Sequence, residues 1–344
     1  MTAPLVSILM PVRDDLPTLS DCLQSIAAQT LEDFEVVVVD DGSSDASPDQ
    51  VASWARQDPR FRLIRTPPRG IVPALNEGLS VCQGECVARM DADDRMRPTR
   101  LERQWSFLQK HPDCDVLGSQ ARLFTESGEV SASMQRYEDW SNALLTHDQI
   151  RGDLFAESPI MHPTFFARRA VFEQLQGYRV QPWAEDYDFL LRAAQAGLRF
   201  GKVPEVLVEK RHAPDRLSHV DPIYKRPAMF QARVHYLREF GLLEGRSGAL
   251  ILGSGPSGKT LCRTLQAQDL PVLGFVDHRP PAPGRRLLGV PAWGFPELPP
   301  VSFLQEFRNA LLLLTIGDTM GRLAMRQRLK EADFQEHLDF VRMI

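Results

Sequence analysis

The feature that most constrains this chain is one repeated pairing: a short, apolar, β-branched run that halts at polar residues, then a stretch with apolar side chains at helical spacing. Val6–Met10 halts at Pro11, Glu35–Asp41 at a Gly-Ser-Ser turn, and Glu85–Met90 at a cluster of carboxylates; Phe61–Ile64 is a further short run. Buried strands rich in Val and Ile read this way. Between them Leu19, Leu23, Ile26 and Ala27 recur at helical period, as do Val51, Trp54 and Ala55, and Ile71–Cys82 is a third helical stretch. Pro98 suits the first turn of a helix carrying Leu101, Trp105 and Leu108. Strands and helices alternating at this length predict a parallel α/β sheet. Ligands of such sheets bind beyond the carboxyl ends of the strands, and the polar clusters fall there. The pattern turns irregular from Phe124 to His162 and resumes to Arg211.

A second unit opens near Arg246. Ala249–Leu252 reads as a strand running into Gly253-Ser-Gly-Pro-Ser-Gly258, Leu261 and Leu265 mark a helix, and Pro271–Val276 is a strand ending at Asp277. After a Pro- and Gly-rich stretch, Ala310–Ile316 reads as a strand and Leu323–Leu329 as a helix. A chain of 344 residues exceeds one small core. The expected division is residues 1–222, a helical linker over 223–245, and a small Rossmann-like α/β domain over 246–344.

Composition narrows the function classes. At 43% hydrophobic and 25% charged residues the chain reads as soluble and globular, and a net charge of −5 disfavours partners such as long nucleic acids. Met1-Thr-Ala-Pro4 has no basic start, so no signal peptide is expected. The most apolar runs, Val36–Val39 and Ala310–Leu314, are too short to span a bilayer. Cys22, Cys82, Cys86, Cys114 and Cys262 form neither a C-x-x-C pair nor a zinc pattern and read as reduced thiols. A cytoplasmic protein is expected, with peripheral contact at the inner membrane face and homo-oligomerisation left open.

Three acidic motifs stand out. Asp40-Asp41, in Val-Val-Asp-Asp-Gly-Ser-Ser-Asp, offers carboxylates at a strand end that can accept from a base N–H or a ribose hydroxyl; taken alone, a solvated turn explains it better. Asp91-Ala-Asp93-Asp94 places Asp91 and Asp93 on one side of an extended segment and Asp94 on the other. Such a group suits hard Mg²⁺ or Mn²⁺ held by carboxylates and substrate phosphates, or else an exposed acidic loop before a helix. Glu185-Asp186 opens a segment with Phe189, Leu190 and Leu191 and a stop at Gly197. Those two acids either cap the helix or supply a general base.

Their order decides among these readings. Pro11, Asp40-Asp41-Gly-Ser, Gly70…Asn76…Gly78, Asp91-x-Asp93-Asp94, His162-Pro163 and Glu185-Asp186-Tyr187…Arg192 follow one another in a series that resembles the family-2 inverting glycosyltransferases. The resemblance covers the first two-thirds of the chain and implies the GT-A fold, a nucleotide-diphospho-sugar transferase domain. It implies that Asp41, with Asp40 beside it, reads the donor base, and places Pro11 and Asp91 in the donor nucleotide site. Asp93 and Asp94 match the metal motif, Asp186 the catalytic base and Glu185 its acidic neighbour. His212 lies where many such enzymes place a late His near the metal or diphosphate. Arg13 departs from the family pattern, which often has Tyr-Asn there. The implied cofactor is Mg²⁺ or Mn²⁺, and the implied partners are a nucleotide-sugar donor, a UDP-sugar foremost, and a glycan or lipid-linked acceptor. A sugar nucleotidyltransferase and a non-catalytic nucleotide-sugar sensor are the rival readings.

In the second unit, Gly253, Gly255, Gly258 and Lys259 satisfy both G-x-G-x-x-G and G-x-x-x-x-G-K-T. Asp277, about twenty residues on, has the ribose-binding spacing of a Rossmann half-fold. Asp318 is the late candidate for the metal-binding Asp of an NTPase, but it follows a Gly rather than closing the apolar run. The unit resembles the amino-terminal domain of bacterial sugar O-acyltransferases, so phosphate or ribose binding and plain scaffolding are both expected roles.

Overall fold

The computed structural model describes residues 3–213, 216, 220–279 and 284–344. The chain divides into two compact units: residues 1–151, 158–181 and 185–220, and residues 152–157, 182–184 and 221–344.

The first unit is built on an eight-stranded sheet, in the order β3-β2-β1-β4-β7-β6-β8-β5. Its strands are β1 (Val6–Val12), β2 (Phe34–Asp41), β3 (Phe61–Thr66), β4 (Cys86–Arg89), β5 (Arg95–Met96), β6 (Val116–Phe124), β7 (Phe166–Arg168) and β8 (Phe200–Arg211). β3, β2, β1 and β4 pair in parallel, as the alternating pattern predicts. The wholly parallel sheet expected from that pattern is corrected beyond β4. There β7 runs antiparallel to both β4 and β6, and β5 is antiparallel to β8. Helices α1 (Leu16–Ala27), α2 (Ser47–Gln57), α3 (Ile71–Val81) and α4 (Arg100–Lys110) follow the predicted periodicity, α4 starting two residues after Pro98.

Burial explains why these segments are strands. Val36, Val37, Val38 and Val39 are fully buried, as are Ile8, Leu9 and Met10, because a central parallel strand is covered on both faces. The register pairs Pro11 with Val39 and Val12 with Asp40, so the polar ends of neighbouring strands arrive at one edge. Gly78 on α3 lets that helix lie against the sheet: a Cβ there would sit 2.2 Å from Leu9 Cδ1. The five cysteines are all buried and form no disulfide.

The second unit has a six-stranded sheet in the order β11-β12-β10-β9-β13-β14. It comprises β9 (Ala249–Leu252), β10 (Val272–Asp277), β11 (Arg286–Leu287), β12 (Val290–Gly294), β13 (Leu311–Leu314) and β14 (Phe340–Arg342). All pairs except β11–β12 are parallel. A helix over Arg226–Glu239 also lies in this unit, and another, Pro256–Gln266, follows the glycine loop. The hairpin and β14 were not legible in the sequence, since each is only two to five residues long.

Candidate active site

Asp40 and Asp41 close β2 and are buried, at 4% and 3% exposure. Asp40 accepts from the Ser43 N–H at 3.3 Å. Both oxygens of Asp41 accept backbone N–H groups, from Arg69 and Gly70 at 2.8 Å each, and Arg13 approaches Asp41 at 3.6 Å. Asp41 thus ties the loop after β3 to the end of β2. Gly70 has φ 96°, a value that favours glycine. The loop after β1 is laced to the loop after β2 in the same way, with Asp14 accepting from Ser44 and Ser47 accepting from the Asp15 N–H. Asp14 and Asp15 were not singled out from sequence.

Asp91, Asp93 and Asp94 lie between β4 and β5, and one ligating oxygen from each falls within 4.8 Å of the others. This corrects the extended-segment expectation that Asp94 faces away. The Asp94 N–H donates to the Asp91 carbonyl at 3.3 Å, so the segment turns and brings all three carboxylates together. Asp94 is fully buried, accepts from the Arg211 N–H at 2.7 Å through Oδ1, and has no hydrogen-bond partner at Oδ2 among the described residues.

Three cations surround the cluster, none of them singled out from sequence. Arg216 reaches Asp91 at 2.9 Å, Asp93 at 3.2 Å and Asp94 at 3.0 Å. Lys210 approaches Asp91 at 3.4 Å, and Arg89, itself fully buried, contacts the other oxygen of Asp91. Burial opposes ionisation of Asp91, but Arg89, Lys210 and Arg216 hold its carboxyl well below the usual carboxylate range. Burial and the charge of Asp94 push Asp93 up to about 7, with Arg216 opposing. Burial likewise raises Asp94. The sequence signal for Arg216 is the polar run Arg-His-Ala-Pro-Asp-Arg, from which only His212 was read.

His212 follows β8, and its N–H donates to the Phe124 carbonyl at 2.7 Å. Its imidazole is not among the clustered ligands that the described residues present. Pro11 lies on β1 beside Val39.

Glu185 and Asp186 open α8 (Glu185–Gln195), and Gly197, two residues past its end, has φ 75°. Asp186 is half-buried, and its Oδ1 accepts the Tyr187 N–H at 2.7 Å. Burial raises its pKa; the Tyr187 N–H, Lys210 and Arg89 pull the other way, and Asp91 adds to the rise. The acid at the start of α8 and the acidic cluster are therefore electrostatically coupled. Glu185 is buried at 3% exposure and faces His162 Nδ1 at 3.6 Å, while His162 Nε2 meets the Tyr178 hydroxyl at 2.9 Å. Burial, with Arg89, keeps His162 far below its ordinary pKa, so the ring is neutral at pH 7.

This site can do two things chemically. Three oxygen ligands with an unpartnered, buried carboxylate oxygen fit a hard divalent cation. The carboxylate of Asp186, with its pKa raised, can take a proton from a hydroxyl.

A parallel β-sheet half with acidic strand ends, joined to a mixed half, with β6 parallel to β8 and β5 and β7 antiparallel, that returns a cationic loop to them, defines a nucleotide-sugar transferase fold. The profile described as glycosyl transferase family 2 matches residues 7–176, and the chain belongs to this family of transferases. It is 30% identical over 222 residues to an uncharacterized glycosyltransferase of Haemophilus influenzae, covering 63% of this chain and 68% of that one. It is 30% identical over 201 residues to the amylovoran biosynthesis glycosyltransferase AmsE of Erwinia amylovora, covering 58% and 73%. Among solved structures it resembles TarS 1–349 of S. aureus in complex with UDP-GlcNAc, at TM-score 0.54 and 19% identity over 77% of this chain and 72% of that one. It also resembles the mannosyltransferase PcManGT of Pyrobaculum calidifontis in complex with GDP-Man and Mn²⁺, at TM-score 0.54 and 23% identity, with 77% and 69% covered. Among the described residues no helix is long and apolar enough to cross a membrane.

Proposed function

We propose that the chain moves a sugar from a nucleoside-diphosphate donor, a UDP-sugar foremost, to a hydroxyl of a glycan or lipid-linked acceptor, inverting the anomeric carbon. The observation that carries this reading is the gathering of Asp91, Asp93 and Asp94 within 4.8 Å, coupled in charge to Asp186. The neighbour with UDP-GlcNAc and the neighbour with GDP-Man and Mn²⁺ support the donor class, and the amylovoran relative supports a role in surface polysaccharide or glycoconjugate synthesis.

Residues 1–222 carry the transfer chemistry, 223–245 join, and 246–344 form a separate Rossmann-like domain. Pro11, Asp40, Asp41 and Asp91 line the donor nucleotide site. Asp91, Asp93 and Asp94 would hold Mg²⁺ or Mn²⁺. The ion supplies positive charge against the departing nucleoside diphosphate. Lys210 and Arg216 bring two further positive charges to the same place. Asp186 accepts the proton of the attacking hydroxyl, and its raised pKa makes it the stronger base. Glu185, held beside neutral His162, fixes the start of α8. The work is placed in the cytoplasm, at the inner membrane face when the acceptor is lipid-linked.

The test is a screen of UDP-, GDP- and dTDP-sugars against hydroxyl acceptors with and without Mg²⁺ or Mn²⁺, reading product configuration by NMR. Metal-dependent transfer with inversion is expected. Donor binding with neither transfer nor donor hydrolysis would leave the sensor reading standing instead.

A further inference from the structure

We propose that the cleft at the carboxyl ends of the second unit's strands binds a nucleoside phosphate, at a site separate from the donor site. Numbered along the unit, β9, β10, β12, β13 and β14 stand in the order 3-2-1-4-5. The chain's winding direction therefore reverses between β9 and β13, and ligands of open α/β sheets bind outside such a switch point. The glycine loop leaves β9 at that place.

The three glycines have different reasons to be there. Gly253 has φ 114°, in the region that favours glycine. A Cβ on Gly258 would lie 2.1 Å from the Gly253 carbonyl oxygen and 2.9 Å from Thr315 Oγ1, so Gly258 lets the helix close onto the strands. Gly255 has an ordinary φ of −65°, and a Cβ there would meet nothing within 4 Å. Neither backbone conformation nor packing calls for glycine at 255. What the missing side chain leaves is open space at the first turn of an eleven-residue helix, where free N–H groups and the helix dipole favour an anion.

The cleft beside it has a volume of about 190 Å³ and is lined by Ser254, Lys259, Asp277, Arg279, Arg285 and Trp293 among others. Three cations face one carboxylate. Among the described residues, no side-chain ion pair or hydrogen bond engages Lys259, Arg279 or Arg285. Arg279 and Arg285 are exposed and Lys259 is half-buried, so their donors are open to an anion that enters the cleft. Trp293 makes a flat wall, fixed edge-on by Phe303 and Phe307 at 5.5 and 5.4 Å and seated over Gly274, where a Cβ would come within 2.4 Å of the ring. A phosphate among the cations with a ring against Trp293 fits these parts.

Asp277 keeps the loop in shape. Its Oδ2 accepts from both the N–H and the hydroxyl of Ser254 at 2.6 Å, and its Oδ1 accepts from the Arg279 N–H at 3.3 Å and lies 2.9 Å from His278 Nδ1, so the carboxylate is used within the loop. Phosphate hydrolysis finds no support here. The Thr260 hydroxyl donates back to the Pro256 carbonyl at 3.0 Å, and Asp318 caps a helix by accepting from Gly321 at 2.6 Å.

The test uses the full chain carrying Asp93→Ala and Asp94→Ala, which disables the donor site so that the two sites are read apart. Calorimetric titration with UDP, GDP, dTDP and ADP, and with inorganic pyrophosphate, should show one saturable nucleotide site tighter than about 1 mM. Adding Gly255→Val, which fills the open space, or Lys259→Ala with Arg285→Ala, should weaken that site at least about tenfold, as loss of a charge-assisted contact does. Melting temperatures of the apo variants show whether each folds. Absence of any saturable nucleotide binding in the Asp93→Ala/Asp94→Ala chain would overturn the proposal. So would binding that both the Gly255 and the Lys259/Arg285 variants retain, or pyrophosphate binding as tight as any nucleotide's.

Discussion

Arg216 Nη1 lies 3.0 Å from Asp94 Oδ1, while the other oxygen of this buried carboxylate has no hydrogen-bond partner among the described residues. The guanidinium offsets part of the charge of the Asp91–Asp93–Asp94 cluster and leaves one buried carboxylate oxygen to act as a ligand. Arg216 and a divalent cation therefore compete for the same negative charge, although both would favour a diphosphate.

This competition sets the first expectation. Arg216→Ala should lower the melting temperature in the absence of metal, because three carboxylates are left facing one another. Mn²⁺ should then raise the melting temperature of the variant more than that of the wild type. Equal metal-induced shifts in the two proteins would show that Arg216 and the ion do not share a seat.

Asp186→Asn keeps the size and shape of the side chain and its place at the start of α8. It should leave donor affinity near normal and lower transfer by about 10²-fold or more, the usual scale of a lost general base. Transfer at the wild-type rate would remove Asp186 from the role.

Chelation by excess EDTA, or Asp93→Ala with Asp94→Ala, should abolish transfer and weaken donor binding. Activity that persists in EDTA would reduce the cluster to an acidic turn held by Arg216.

Two glycines of one loop should behave oppositely. Gly258→Ala must push apart the Gly253 carbonyl and the helix, since its Cβ would lie 2.1 Å from that oxygen. A loss of about 1–3 kcal/mol is expected. Gly255→Ala, with open space around it, should change stability by less than about 1 kcal/mol. Chemical denaturation of the two variants measures both.

Lys202, at 2% exposure, donates to the carbonyls of Ser141 and Pro159, and burial brings its pKa down to about 7. The unfolded chain holds that proton to about pH 10.4. Between these values the unfolded state binds more protons, so this residue makes stability rise with pH, by no more than about 1.4 kcal/mol per pH unit. Relative to Lys202→Met, the wild type should gain stability from pH 7 to 10; parallel curves would show that Lys202 stays charged in the fold.

What the sequence determined by itself was the local frame. Val36–Val39, Ala249–Leu252 and the helical spacing of Leu19, Leu23 and Ile26 declare strands and helices because continuous burial and a single buried helix face each leave a mark on composition. The order of the acidic motifs pointed to the family, since each motif sits at the end of such an element. Tertiary structure decided the rest. The turn from Asp91 to Asp94 defeats the two-residue alternation, and the antiparallel strands β5 and β7 are too short to show a period. Arg216 reaches carboxylates more than 120 residues earlier in the chain because β8 returns beside β5. Charge pairing at such separation depends on where the sheet ends, and one-dimensional spacing carries no record of it.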